Sequence, residues 1–156
     1  MTKIEKRLAE RKLTLPNVPM DMKYWARCKR VGNLIFMGTT GPWPIMNETV
    51  KGKMTGAIGR ELTVEEGRFV CKMSALSMLA ALKTELGDLD KIDQIVKLEV
   101  YINGAGGEST PYEQVADAAS ELFIELFGEN GRATRSITPN PSDMAVELDM
   151  VVSIKG

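Results

Sequence analysis

Two stretches of helical periodicity, each standing between runs that alternate in hydropathy, constrain this chain more than any other feature. The first opens at Thr63-Val64-Glu65-Glu66, where Thr63 can accept from the amide three residues on and Glu66 can reach back, a capping box. Cys71, Ala75, Leu79, Leu82 and Leu86 recur at helical spacing behind it, and Gly87 supplies a left-handed stop. The second opens at Thr110-Pro111-Tyr112-Glu113, read as cap, first-turn proline and reciprocal glutamate. Val115, Ala119, Leu122 and Leu126 form its apolar stripe, and Gly128 ends it. Around these helices lie extended runs at 24–31 and 34–37, separated by the hairpin signal Gly32-Asn33, and further runs at 95–102, 132–138 and 145–154. In 95–102, Val96, Leu98, Val100 and Ile102 share one face, opposite Ile95, Lys97, Glu99 and Tyr101. In the last run Val146, Leu148, Met150, Val152 and Ile154 point one way.

The order is hairpin, helix, strand, helix, strand, strand. Each long helix joins strands that lie parallel through a right-handed crossover. Helices with one apolar stripe cover one sheet face, so the expected fold class is α+β, a two-layer sandwich of one mixed sheet with two main helices on one face. The opposite sheet face carries Val151 and Ile95 among Glu99 and Lys97. A half-apolar face with no helix left to cover it predicts self-association. The first dozen residues form a short amphipathic helix with Ile4 and Leu8 one turn apart, stopped by Leu15-Pro16-Asn17-Val18-Pro19. Residues 1–22 are thus a helix and an extended segment of a single domain spanning 1–156. Five glycines and two prolines in 38–59 make that stretch mainly loop, with room for one short strand, and long loops inside domains are often functional. A polar turn is expected at 104–110.

Twenty basic against 21 acidic side chains leave a net charge of −1, without the basic excess that nucleic-acid binding normally shows. The basic residues Lys3, Lys6, Arg7, Arg11 and Lys12 are interleaved with Glu5 and Glu10, as on an exposed helix face. No run approaches the ~18 apolar residues of a membrane span, and the N-terminus reads as neither signal peptide nor presequence. Cys28 and Cys71 lack Cys-x-x-Cys spacing, which points away from a disulfide framework or metal site and toward a reducing compartment, the cytoplasm. Cys71 falls on the helix stripe and reads as core. The chain has no histidine, so chemistry here must use carboxylates, hydroxyls, backbone groups and water. That disfavours a Ser-His-Asp triad or a histidine-held metal, and no cofactor is implied. Arg135, just before the final strand, can hold a carboxylate or phosphate through two parallel charge-assisted hydrogen bonds. The alternative is a salt bridge to Glu147 or Asp149. Arg132 reads as a surface charge.

Several segments together carry a family likeness: Arg7-Leu8-Ala9-Glu10 with Leu15-Pro16, then Val31-Gly32-Asn33-Leu34-Ile35-Phe36 and Leu62-Thr63-Val64-Glu65-Glu66-Gly67. They continue with Leu86-Gly87-Asp88-Leu89-Asp90-Lys91-Ile92, Ala119-Ser120-Glu121-Leu122, Phe127-Gly128, Arg135-Ser136 and Val146-Glu147-Leu148. In their order and spacing the chain resembles the RidA family, also called YjgF/YER057c/UK114, over nearly its whole length, and its longer bacterial branch in having an extra N-terminal helix. The resemblance implies a chorismate-mutase-like homotrimer, in which three sheets form a central barrel with the helices outside and three clefts between subunits. Members with the arginine hydrolyse reactive 2-enamino or 2-imino acids to 2-keto acids and ammonia.

By that resemblance Arg135 holds the substrate carboxylate and Glu147 holds the attacking water. The alternative for Glu147 is an inter-subunit ion pair. The Ile137 amide corresponds to a group that also touches the carboxylate, and the family's aromatic wall falls at Trp25, or at Tyr24 with a one-residue slip. Other positions depart from the pattern. Gly38-Thr39-Thr40 stands where the family has Ser-Gly-Gln, so Thr39 narrows or reshapes the pocket. Asp117 replaces an asparagine and adds negative charge, and the 139–143 loop is about three residues shorter than the usual one. Three readings follow: a deaminase, a non-catalytic trimer that binds a small carboxylate metabolite, and the endoribonuclease attached to some family names. The near-neutral charge disfavours the last.

Overall fold

Strand β1 (Cys28–Val31) turns through Gly32-Asn33 into β2 (Leu34–Met37), an antiparallel hairpin with Val31 opposite Leu34, in a computed structural model that describes residues 1–43, 54–106 and 110–156. Gly32 has φ +60°, which a two-residue hairpin turn needs and glycine supplies without strain. Helix α2 (Val64–Leu86), strand β3 (Ile92–Ile102), helix α3 (Tyr112–Phe127) and strands β4 (Thr134–Pro139) and β5 (Val146–Ile154) follow. The sheet order is β1-β2-β5-β3-β4, with β5 antiparallel to both neighbours and β4 parallel to β3. β2 and β3 therefore run parallel on either side of β5. The α+β class, the mixed sheet and the hairpin are as the sequence predicts.

The first strand is shorter than expected: residues 24–27 precede it, because Arg27 is buried and tied to the Pro19 carbonyl and the Thr40 hydroxyl at 2.8 Å each. β3 also departs from simple alternation. Ile95 pairs Val152 and Lys97 pairs Val151, so Val96 is an extra residue in the ladder. This bulge returns Ile95 to the core, 2% exposed, and turns Val96 partly outward. The open sheet face accordingly loses the isoleucine assigned to it. It keeps Phe36 (46% exposed) and Val151 beside Lys97, Glu99, Tyr101, Glu147 and Asp149.

α2 is buried on more than one stripe. Its capping box is present, with Thr63 Oγ1 accepting from the Glu66 amide and Glu66 accepting from the Thr63 amide, and Gly87 closes it at φ +78°. Besides Cys71, Ala75, Leu79 and Leu82, the residues Val70, Met73, Leu76 and Met78 are buried. Three surroundings account for this: the sheet beneath, α3 alongside, and the N-terminal segment with Trp43 on the remaining side, where the Trp43 amide donates to Ser77 Oγ at 3.0 Å. Helix α1 (Lys3–Glu10) has its own capping box and buries Ile4 and Leu8. Its first amides, Lys3 and Ile4, donate to the Asp90 carboxylate at 2.8 Å each. In 38–59 the described residues form isolated bridges, such as Thr40 with Leu148 and Thr55 with Met144, and no strand; part of this expected loop, and of the expected 104–110 turn, lies outside the described residues.

Two outcomes test this core. Leu79→Ala should lower unfolding free energy by about 2–5 kcal/mol in urea denaturation, as a fully buried leucine lost to a cavity. The Asp90 carboxyl is partly desolvated, but the amides of Ile4 and Lys3 outweigh that and hold its pKa below the ordinary value. Its stabilising contribution is therefore present above the unfolded-state pKa of about 4 and is lost as pH falls through the lower folded value. The stability gap between wild type and Asp90→Asn should be full near neutrality and should close below that range.

Candidate functional site

The parallel register sets Arg135 opposite Leu98 and Ile137 opposite Val100, and Leu98 and Val100 are core-facing, so both β4 residues face the helix layer. Arg135 reaches up to α3. Its Nη1 donates to Asp117 Oδ1 at 2.8 Å and Ser120 Oγ at 3.0 Å, and its Nη2 donates to Glu113 Oε2 at 2.5 Å. The three acceptors are spaced i, i+4, i+7 and share one helix face. Burial opposes the charge on the guanidinium, but the hydrogen bonds to Asp117 and Glu113 outweigh it and hold the Arg135 pKa above its ordinary value. The ion pair thus goes to acids other than Glu147 and Asp149, because those two lie on the opposite sheet face.

The α3 start explains why Glu113 is available. Thr110 is not the cap. Pro111 holds the N-cap position without a side-chain hydrogen bond, while the Thr110 carbonyl accepts from the Tyr112 amide at 2.9 Å. With Pro111 as the cap, Glu113 is the second residue of the helix, one short of the capping-box position, and its carboxylate goes to the arginine. Asp117, expected as a pocket residue, is the second arm of the same clamp.

A second group gathers along residues 38–41. Five residues from Phe36 to Thr40 match four from Val151 to Leu148, and this extra residue sets Thr39 beside Asp149. Thr39 Oγ1 donates to Asp149 Oδ1 at 2.5 Å, whereas Thr40 is buried and accepts from Arg27. A Cβ on Gly38 would come 3.2 Å from Trp25 Cζ3, so glycine lets the indole lie against the strand end. Of the two aromatic candidates, Trp25 is held here, with the Arg27 guanidinium 5.0 Å from its ring, while Tyr24 is 84% exposed beside Lys23. Arg27 was missed in the sequence reading, where nothing marked it as a buried charge between Trp25 and Trp43.

Glu147 stands beside Gly41, whose Cβ position is 3.5 Å from Glu147 Cγ. Its Oε1 accepts from Ser142 Oγ at 2.8 Å and Asn140 Nδ2 at 3.1 Å. Among the described residues nothing donates to Oε2. The short 139–143 loop therefore has a use: its Asn140 and Ser142 orient the carboxylate. Further along the open face, Tyr101 OH lies 2.7 Å from Glu99 Oε2 and 2.9 Å from Asp149 Oδ2, which are directly cross-strand. Burial and these two carboxylates raise the Tyr101 pKa. Both cysteines are buried, and desolvation pushes the thiol of Cys71 up to about 12 and that of Cys28 up to about 11, so neither is a ready nucleophile.

The structure thus brings Arg135, Ile137 and Asp117 together at the β4 edge, and sets Trp25 beside Gly38, Thr39 on Asp149 and Glu147 beside Gly41 along the 38–41 segment. It does not bring the two groups together. Glu147 on β5 is two strand positions from β4, roughly 10 Å across the sheet at ordinary strand spacing, and on the other face.

Comparison with known proteins agrees with this architecture. The family described as "YjgF/chorismate_mutase-like, putative endoribonuclease" matches residues 5–154. Protein TCP17 of Trypanosoma cruzi is 38% identical over 109 residues, covering 67% of this chain and 68% of that protein. The crystal structure of Atu1372 from Agrobacterium tumefaciens, a protein of unknown function, aligns with TM-score 0.83 and 30% identity over 97% of this chain and 93% of that one. A Shewanella oneidensis MR-1 structure, described as a "putative endoribonuclease", aligns with TM-score 0.85 and 28% identity over 98% of this chain and 100% of that one. The chain belongs to the YjgF/chorismate mutase-like family.

Proposed function

We propose that this protein is a cofactor-free hydrolase that converts reactive 2-enamino or 2-imino acids, or a related enamine, to keto acids and ammonia in a cleft shared between copies of the chain. The observation that carries the reading is the division of the candidate residues into two half-sites on opposite sheet faces. A site needing both must take Arg135 from one copy and Glu147 from another. The chorismate-mutase-like homotrimer supplies such pairs, with the open sheet faces turned inward, and cytoplasmic residence suits the two thiols.

In this reading the Arg135 guanidinium, oriented by Asp117 and Ser120, takes the substrate carboxylate, assisted by the Ile137 amide at the free edge of the sheet. The neighbouring Glu147, fixed through Oε1, holds water on Oε2 and accepts its proton as oxygen bonds to the imine carbon. Glu147 passes that proton to the imine nitrogen, giving the carbinolamine, and then moves the hydroxyl proton to the amine as the C–N bond breaks, so that ammonia leaves and the keto acid remains. An enamine enters after tautomerising to the imine. Trp25 walls the cleft at its Gly38 end, and Thr39 reduces its room. The substrates hydrolyse readily on their own, so orientation and one carboxylate suffice.

A second reading is a non-catalytic trimer that binds a small carboxylate metabolite. It is favoured by the changed surroundings of the candidate residues, where Thr39 is tied to Asp149, Thr40 to Arg27 and Asp117 to Arg135. The ribonuclease suggested by relatives' names is less favoured, because the net charge is −1 and the clamp itself is acidic.

The test generates 2-aminoacrylate with a pyridoxal-phosphate dehydratase and traps the survivor with semicarbazide. The protein should speed loss of the trapped adduct. Arg135→Ala should abolish the effect, and Glu147→Gln should reduce it by about 10²–10⁴-fold. No effect across several amino-acid precursors would leave the binding reading. In sizing chromatography, a species at the 17.2 kDa chain mass would rule out a shared cleft.

A further inference from the structure

We propose that Glu113 is a built-in competitor for the ligand's carboxylate and sets how strongly the Arg135 cleft prefers anionic over uncharged molecules. The inference rests on the reading of Arg135 as carboxylate holder.

The geometry divides the three acceptors by task. Nη1 spends its two protons on Asp117 Oδ1 at 2.8 Å and Ser120 Oγ at 3.0 Å. Those contacts fix the plane of the guanidinium against α3. Nη2 meets Glu113 Oε2 at 2.5 Å, and the Glu113 side chain is 79% exposed, against 48% for Asp117. An exposed carboxylate gives up rotamer freedom to pair and recovers it on release, so Glu113 is the partner that leaves. An incoming carboxylate presents the same group to the same donor, and the number of charges on the guanidinium is unchanged by the exchange. An uncharged ligand cannot replace it in kind.

A second, independent observation is how the helices begin. The first-turn glutamates of α1 and α2, Glu5 and Glu66, each accept from their own N-cap amide at 3.1 and 2.8 Å. α3 has Pro111 at its cap, which has no amide proton to give. Glu113, one position earlier in its helix than Glu5 and Glu66 are in theirs, takes no part in capping and sits on the arginine.

The test titrates wild type, Glu113→Gln, Glu113→Ala and Arg135→Ala with pyruvate and with pyruvamide, its uncharged counterpart, by calorimetry, with circular dichroism checking the fold. Both Glu113 variants should bind pyruvate about two- to fivefold more tightly, the range expected for losing an exposed ion-pair competitor. Pyruvamide should be unaffected, and Arg135→Ala should lose the pyruvate response. Unchanged or weaker pyruvate binding in the Glu113 variants, with Arg135→Ala still abolishing it, overturns the competitor and leaves the carboxylate holder standing. Equal tightening of pyruvate and pyruvamide also overturns it, because a steric obstacle rather than charge would then be at work. Pyruvate binding that survives Arg135→Ala, or none in any variant, overturns both readings.

Discussion

The packing of β5 between β2 and β3 governs where everything else can lie. Val146, Leu148, Met150 and Val152 are each 2% exposed or less and turn toward the helices, so strand alternation sends Glu147, Asp149 and Val151 to the other face. Reversing that would expose four core side chains, at roughly 1.5–3 kcal/mol each. Arg135 answers to the same rule one strand beyond β3, where its register with Leu98 commits it to the helix side. The separation of arginine and glutamate is therefore a consequence of core burial. Any chemistry that uses both must be intermolecular.

Charge around the arginine then shapes what the proposed cleft can take. Two carboxylates and one hydroxyl on a single helix face hold the guanidinium, and together with it they carry net negative charge. Glu147 is treated differently: its partners Asn140 and Ser142 are neutral and bind one oxygen, which orients the carboxylate without neutralising it. The first arrangement suits a holder whose occupant is exchanged, the second a carboxylate held by one oxygen with no donor to the other among the described residues. In the family reading these are the two functions required.

Much of the fold was legible because it depends on local chemistry. The capping box at Thr63, the Gly87 stop and the Gly32-Asn33 hairpin are short-range signals, and each forms as read. The departures come from longer-range packing. The bulge at Val96 reverses Ile95, and only the pairing with β5 reveals it. The many buried residues of α2 reflect cover by the N-terminal segment and Trp43, which periodicity within the helix cannot show. In the site, Glu113, Asp117 and Ser120 stood at helical spacing in the sequence, but Glu113 had been assigned to a cap that Pro111 displaced. Arg27 gave no warning at all, since of its partners only Trp25 is a near neighbour in sequence, and the Pro19 carbonyl, the Thr40 hydroxyl and the Trp43 face are brought to it by the fold.

The shared cleft is the centre of this account, and subunit complementation tests it most directly. Arg135→Ala and Glu147→Gln proteins, each inactive alone, are unfolded together, refolded as mixed oligomers, and assayed for loss of the semicarbazide-trapped adduct. In random assemblies about one cleft in four pairs an intact arginine from one copy with an intact glutamate from another, so roughly a quarter of wild-type activity should return. Mixed oligomers that form and remain inactive would contradict a site built from two copies of this chain.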